Sequence, residues 1–411
     1  MKTAILSVGT EILFGQIVNT NTVYLSRELN ALGHDVMYHY VVGDNPERLS
    51  DIIRLAFRDC DLVITTGGLG PTEDDLTKEV ACETLNDEMV MNDEQLKILK
   101  ARFGKTGSEM TPNNFKQACF PSRAEILKNP QGTAPGFILE NGGKYMICMP
   151  GPPREMTFMF EHEVKPFLAS RSDGVIYYRT VRTYGIGESS LETELLDLID
   201  VQTDPTLATY AKEGEAQVRI ASKRRTEAEA EAAVEEMIEK VRDRIGEYIY
   251  STDDEDLAEV VGRKLMERDI TISSAESCTG GLFAKTLIDI PGISQVFDRG
   301  LVTYSNRAKV EELGVKSATI EKFGAVSEET AREMCEGLAH VSGSDICVSV
   351  TGVAGPDGGT EEKPVGLVYI GAVFNGRTVV IEKRFRNISR AWIRNASMLA
   401  MMSLVNEFLG E

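Results

Sequence analysis

The stretch Ser273-Ser274-Ala275-Glu276-Ser277-Cys278-Thr279-Gly280-Gly281 joins a hydroxyl nucleophile to a backbone that a ligand can approach closely. It follows the apolar run Ile270–Ile272, which reads as a buried strand, and precedes Leu282–Ile288, whose apolar spacing predicts a helix. Ser277 then stands on the strand-to-helix turn. There Gly280 and Gly281 open space, and the first helical N–H groups face an anion or oxyanion. Taken alone, the stretch has a simpler account, in which Ser277 or Thr279 caps the helix.

A second stretch alters the balance. Gly300–Thr303 is strand-like, Tyr304-Ser305-Asn306 follows, and Lys309 lies one helical turn further on. A lysine so placed is ordinarily a solvated surface charge. At the end of a neighbouring strand, Ser, Tyr and Lys form a nucleophile-and-base set that needs no histidine. A third loop, Thr351-Gly352-Val353-Ala354-Gly355-Pro356-Asp357-Gly358-Gly359, follows the apolar run Ile346–Val350. Strand ends are where open α/β sheets carry their sites, and three such loops exceed what turns alone require.

The elements that position a further loop lie near the start of the chain. Ala4–Val8 reads as a strand, Thr22–Leu32 as a helix stopped by Gly33, and Asp35–Val42 as a strand. Pro46–Arg58 reads as a helix and Leu62–Thr66 as a third strand. This alternation predicts a parallel sheet with crossover helices. The loop after the last strand is Gly67-Gly68-Leu69-Gly70-Pro71-Thr72-Glu73-Asp74-Asp75. Its glycines suit a phosphate, and the adjacent Asp74 and Asp75 suit a hard divalent cation. Thr72 to Asp75 also has capping-box spacing, so Asp75 is expected to start a helix while Asp74 faces a ligand.

From Val175 the pattern changes to short strands (Ile176–Tyr184, Leu207–Ala211, Ala216–Ala221), a helix Glu188–Ile199, and an acidic Ala/Glu helix Thr226–Ile245 with one buried stripe. The polar run Ser251–Asp256 reads as a linker. With 411 residues, two or three domains are expected. A net charge of −20 argues against general affinity for nucleic acid or anionic membrane. Seven cysteines without a CxxC pair argue against a disulfide framework and a zinc site, and for a reducing cytoplasm. Glu11 interrupts the first apolar run too early for an export signal, and no stretch has the length to span a bilayer. Cys278 is expected to be a buried structural thiol.

Two resemblances follow from these motifs. AESCTGG, VTYSNRAK, VSVTGVAGPDGG and EEKPVGLVYIG resemble the nicotinamide-nucleotide deamidase domain that ends proteins of the CinA (competence/damage-inducible) family, from about Asp254 onward. The resemblance implies hydrolysis of the carboxamide of nicotinamide mononucleotide with no cofactor. Ser277 would be the nucleophile and Tyr304 and Lys309 its activating groups, with Thr279, Gly280, Gly281, Thr351, Gly352, Gly355 and Arg394 around the substrate. VGTEILFGQIVNTN, TTGGLGPTEDDLT, GTAPGF and MPGPPREM resemble the molybdopterin-binding-like domain that opens the same proteins, with Asn19, Asn21, Gly132, Thr133 and Gly151 in pattern. That implies metal-dependent ADP-ribose pyrophosphatase activity. Gly67, Gly68, Gly70, Thr72 and Asn21 would contact substrate, and Asp74 and Asp75 would hold Mg, Mn or Co.

The expected fold is therefore α/β in three parts: a three-layer molybdopterin-binding-like domain at 1–170, a small α+β KH-like domain at 171–252, and an α/β deamidase domain at 253–411. A Gly-x-x-Gly RNA clamp is not evident in the middle part, which reads as a spacer or dimer contact. The expected partners are small nucleotides and a second copy in a homodimer, with no nucleic acid and no membrane. Two other readings stay open: a pterin-binding or pterin-processing enzyme, and a non-catalytic partner in competence or DNA repair.

Overall fold

Apolar strand runs and capped helices organise the chain into two compact units, Met1–Tyr178 with Ser222–Ala233, and Arg179–Ala221 with Val234–Glu411. The computed structural model describes residues 1–106, 110–172 and 174–410.

In the first unit six strands lie in the order Asp35–Val42, Lys2–Val8, Leu62–Thr66, Lys144–Met149, Gly136–Asn141, Glu125–Leu127. The first four pair in parallel and the last two antiparallel. Alternate side chains of the fully buried central strands serve two cores, as a sheet covered on both faces requires. Leu6 and Val8 join Leu49, Ile53 and Val80 on one side. Ile5 and Ile64 join Leu25, Leu29, Met156 and Phe160 on the other. These are the three layers expected from the sequence. The helix Thr20–Ala31 starts two residues earlier than its apolar pattern, because the Asn19 side chain caps it by accepting from the Thr22 N–H.

The second unit carries a five-stranded sheet in the order Phe297–Val302, Ile272–Glu276, Ile346–Gly352, Leu367–Phe374, Arg377–Arg384. The first three strands are mutually parallel, with Glu276 level with both Val302 and Val350. The strand expected at Ile270–Ile272 thus runs through the Ser-Ser-Ala-Glu segment, all of it buried, and ends immediately before Ser277. Helices Leu257–Arg268, Leu282–Ile288 and Arg390–Phe408 contribute to one core. Leu313, Met334 and Leu338 build the other.

The middle part has a four-stranded sheet in the order Thr206–Lys212, Glu215–Arg224, Val175–Thr183, Ile249–Ser251. The helix Glu227–Ile245 buries the stripe Ala230, Val234, Ile238, Val241 and Ile245, as its spacing predicted. The expected helix Glu188–Ile199 is instead two short helices broken at Leu195.

The acidic run read as a linker carries ion pairs that its composition did not signal. Arg182, a nearly buried side chain, pairs with Asp254 and Asp256, each at 2.8 Å. Lys212 reaches Asp256 at 2.6 Å, and Arg179 reaches Asp253 at 2.9 Å. Asp256 also closes a capping box with Glu259 at the start of the helix Leu257–Arg268. The acids answer these cations while their own side chains stay more than half exposed. Among the described residues no helix is long and apolar enough to cross a membrane.

Close packing against the five-stranded sheet depends on Gly337 in the helix Glu328–Ser342. A Cβ there would lie 1.8 Å from the carbonyl oxygen of Leu313, the last residue of the helix Asn306–Leu313. Gly337→Ala is therefore expected to force the two helices apart and destabilise this unit by about 2–3 kcal/mol, read as a lowered thermal unfolding midpoint. An unchanged midpoint would show that the helices part freely.

Candidate active sites

The parallel register decides the first site. Because Glu276 and Val302 are neighbours, the residues that follow them, Ser277 and Thr303, leave the sheet side by side. The chain then turns through Ser305, whose hydroxyl caps the helix Asn306–Leu313, and this aims Lys309 back at the strand ends. Lys309 is 1% exposed. Its Nζ lies 2.8 Å from Ser277 Oγ, 2.8 Å from the Thr303 carbonyl and 3.3 Å from the Tyr304 carbonyl. Burial lowers its pKa to about 8. A neutral amine has two N–H donors and one lone pair. Two carbonyls accept from those donors, leaving the lone pair to take the Ser277 hydroxyl proton. Desolvation alone lowers this pKa.

The helix expected to offer free N–H groups to an oxyanion does not. The buried Glu276 carboxylate accepts from the N–H groups of Gly281, Phe283 and Ala284 at 2.9–3.1 Å. A side chain from the strand thus takes up three N–H groups at the start of the helix Leu282–Ile288 and pins the turn that carries Ser277. Sequence reading missed Glu276. Its signal was an acidic residue closing an otherwise apolar or small strand, five residues before Gly281. Cys278 is buried and its thiol is pushed up to about 12, as befits a structural cysteine.

The other expected residues divide. Tyr304 is 61% exposed, and its hydroxyl accepts from Arg390 at 3.2 Å. Arg390 also donates to the Gly355 carbonyl at 2.7 Å and so ties the second and third loops together. Arg394, one turn later, donates to the Thr279 carbonyl at 2.6 and 3.2 Å and lies against Gly280. Arg390 was not singled out, although its i, i+4 spacing from Arg394 puts both on one helix face. The Thr279 hydroxyl is buried without a protein partner, the kind of group a ligand satisfies. Thr351 and Gly352 still belong to the strand Ile346–Gly352 rather than to the loop, and the buried Thr351 hydroxyl donates to the Ala325 carbonyl.

In the first unit a cavity of about 540 Å3 opens where the four parallel strands end. Gly9, Asp44, Gly67 and Pro150 each follow closely on one of those strands and line it, as do Gly68, Gly70, Asn21, Gly151, Asp74 and Asp75. Gly67 is obligatory: its φ is +104°, and a Cβ would lie 2.1 Å from the Val8 carbonyl oxygen. Asn21 Nδ2 donates to the Gly151 carbonyl at 2.7 Å, while its Oδ1 is buried and unpartnered.

Thr72 and Asp75 correct the expectation. Thr72 is not among the lining residues; its N–H and hydroxyl bind the Asp75 carboxylate, closing a turn, while the helix starts only at Thr77. Lys116 clamps that turn by donating to the carbonyls of Thr72 and Asp75.

The carboxylates of this cavity are mostly engaged. Asp44 accepts from the N–H and hydroxyl of Thr10, Glu155 from Asn129, and Asp75 from Thr72, while Asp74 is exposed. Among the described residues no group of three His, Cys, Asp or Glu is placed to hold a metal. This donor set does not form an all-protein cage. It fits a cation that takes its remaining oxygen ligands from phosphate and water.

Comparison with known proteins covers nearly the whole chain. Residues 4–170 match the family model described as a probable molybdopterin binding domain. Residues 178–251 match the damage-inducible protein CinA KH domain, and 254–409 the CinA C-terminal domain. A relative from Acetivibrio thermocellus, named as a competence-damage inducible protein, is 48% identical over 409 residues, 100% of this chain and 99% of its own. A CinA-like protein of Dictyoglomus thermophilum is 51% identical over 384 residues, 93% of each chain. The crystal structure of the competence/damage inducible protein CihA from Agrobacterium tumefaciens is 41% identical, covering 38% of this chain and 98% of that one, with a TM-score of 0.37.

The Glu276 clamp generates a stability test. Glu276→Ala leaves three amide donors without their acceptor in a buried turn and is expected to lower the unfolding free energy by about 2–4 kcal/mol. Glu276→Gln, which keeps one acceptor oxygen, should fall between the variant and wild type in a denaturant titration. Equal stability of all three proteins would show that Glu276 does not hold this turn.

Proposed function

This chain belongs to the CinA family, and from that premise we propose that its C-terminal part is a serine amidohydrolase acting on the carboxamide of nicotinamide mononucleotide. The observation that carries this reading is the buried contact of Lys309 Nζ with Ser277 Oγ at 2.8 Å, completed by two carbonyl acceptors.

Ser277 Oγ attacks the carboxamide carbon while its proton passes to the neutral Lys309 amine. The ammonium so formed donates that proton to the departing nitrogen, releasing ammonia and leaving an acyl ester on Ser277. Water, deprotonated by the same amine, then hydrolyses the ester and frees the acid and the serine. Burial that lowers the lysine pKa to about 8 supports this role, since an ordinary lysine holds its proton at neutral pH. Tyr304, held by Arg390 at the exposed edge, suits contact with substrate better than proton relay.

A second reading concerns the N-terminal cavity, and the unpartnered Asn21 Oδ1 beside the glycine loop favours it. There we read a diphosphate site that cleaves ADP-ribose, in which Asp74 would hold a divalent cation delivered with the substrate. The cation would supply charge neutralisation on the diphosphate. The chain's own groups, Asn21 and the Gly67–Gly70 backbone, would orient the ligand.

For the first reading, Ser277→Ala should abolish ammonia release from nicotinamide mononucleotide. The wild-type kcat/KM should fall about tenfold per pH unit below about 8, where the amine becomes protonated, and level off above. Lys309→Arg keeps the charge but cannot lose its proton, so it should be as inactive as Lys309→Ala at every pH. An active Lys309→Arg enzyme with a flat profile would end the general-base role. For the second reading, Asp74→Ala should lower metal-stimulated AMP formation from ADP-ribose roughly a hundredfold while leaving ammonia release unchanged. Wild-type protein that never responds to added Mg, Mn or Co would sink it.

A further inference from the structure

Arg390 stands where a helix least favours a cation. It is the first residue of the 19-residue helix Arg390–Phe408, whose opening turn holds no acidic residue. The N-terminal end of a helix carries the positive end of its dipole, and Asp or Glu is the favoured charge there. Arg394, one turn later on the same face, adds a second cation and reaches the first loop through the Thr279 carbonyl. A solvated surface charge is the ordinary account of an exposed arginine, yet it gives no reason for this end of the helix.

The contacts of the guanidinium give one. Nη1 donates to the Gly355 carbonyl at 2.7 Å and Nη2 to the Tyr304 hydroxyl at 3.2 Å. The first acceptor is firmly held. Ala354, its neighbour in the chain, is buried in the core that includes Val350 and Val368. The Val353 N–H donates to the Leu367 carbonyl at 2.9 Å and the Gly366 N–H to the Val353 carbonyl at 2.8 Å, which closes the base of the loop. Gly355 has a φ of +73°, and a Cβ there would lie 2.7 Å from Val365 Cγ1, so the loop is tight at this point.

The second acceptor is not held by packing. Tyr304 is 61% exposed. Its carbonyl accepts from Lys309 at 3.3 Å, which keeps its backbone beside the Ser277–Lys309 pair. Among the described residues its hydroxyl has no hydrogen-bond partner but Arg390, and its ring has no aromatic neighbour. Without that bond an exposed ring is free to exchange between staggered rotamers.

We propose that Arg390 is a positioning residue: anchored on the Gly355 carbonyl, it fixes the Tyr304 ring at the mouth of the Ser277–Lys309 site and so sets how tightly substrate binds. This rests on the reading of that site as an amidohydrolase. A ring already held in place loses less freedom when substrate settles against it, and binding gains by that difference. Lys309 Nζ reaches Ser277 and the Thr303 and Tyr304 carbonyls without Arg390, so the chemical step stands apart from this device.

The test is a double-mutant cycle on the full chain with Arg390→Met, Tyr304→Phe and the pair together, read as ammonia release from nicotinamide mononucleotide. Phenylalanine keeps the ring and removes only the hydroxyl that Arg390 holds. Each single variant should raise KM about tenfold, the size expected for losing a hydrogen bond from a charged donor, and Arg390→Met should keep kcat within about threefold of wild type. The pair should be no worse than either single variant, because without the hydroxyl Arg390 has nothing to position. Unfolding midpoints equal to wild type separate these outcomes from a folding defect. Should Arg390→Met fail to fold, Arg390→Ala closes the same cycle. Additive losses in the pair would overturn the proposal by showing that Arg390 acts on substrate or on the third loop independently of Tyr304. A loss confined to kcat, or an unchanged KM, would overturn it as well while leaving the amidohydrolase reading in place. Wild type that releases no ammonia overturns both together.

Discussion

A lysine amine withdrawn from water without a carboxylate against it is the constraint on which the C-terminal half depends. Burying an unpaired ammonium is strongly unfavourable, and the protein answers by letting the group lose its proton more easily. For that answer to be useful, the carbonyls of Thr303 and Tyr304 and the hydroxyl of Ser277 must all lie within reach of one nitrogen. Two parallel strands that end level with one another provide this, together with a helix whose first turn sends its lysine back over the sheet. Glu276 holds the strand end and the next helix as one body, so that the hydroxyl does not wander from the amine.

The N-terminal half uses the same architectural rule for different chemistry. Its cavity-lining residues also follow closely on parallel strands, but they are mainly glycines and amides rather than a serine and a lysine. Backbone takes the place of side chain there: Gly67 passes so close to Val8 that any Cβ would collide. One sheet end thus presents a serine hydroxyl against a buried lysine amine, and the other a cavity lined by backbone and amides.

Much of this was legible in the sequence. The strand Leu62–Thr66 lies where its apolar run puts it, because burial on both sheet faces writes itself as a continuous apolar run. The largely exposed edge strand Asp35–Val42 and the helix Leu282–Ile288 also lie where their residue patterns put them. Ser277 and Lys309 were legible as residue types at strand ends, and the structure brings them together. What stayed hidden was pairing. Glu276 reads as one more polar residue until the helix start is seen folded against it, and Arg390 as a surface charge until two loops are seen meeting at it. Thr351 looked available for a ligand, yet its hydroxyl is engaged by the Ala325 carbonyl, which only the fold supplies. Asp75 is engaged by Thr72, the local partner that its spacing offered, but in a closed turn rather than a helix start. Local composition signals where an element breaks. It does not signal which broken ends are later tied together.

The acidic run at Asp253–Asp256 carries a practical consequence for dissecting the molecule. Composition marks it as the natural place to cut the chain, and an excised C-terminal piece would start there. Yet these acids answer Arg179, Arg182 and Lys212, and Arg182 is nearly buried among them. A cut at this point would strand a guanidinium in the piece left behind and leave a knot of unanswered carboxylates on the piece removed. What looks like a bare perforation in the sequence is, in the folded protein, a boundary laced with ion pairs.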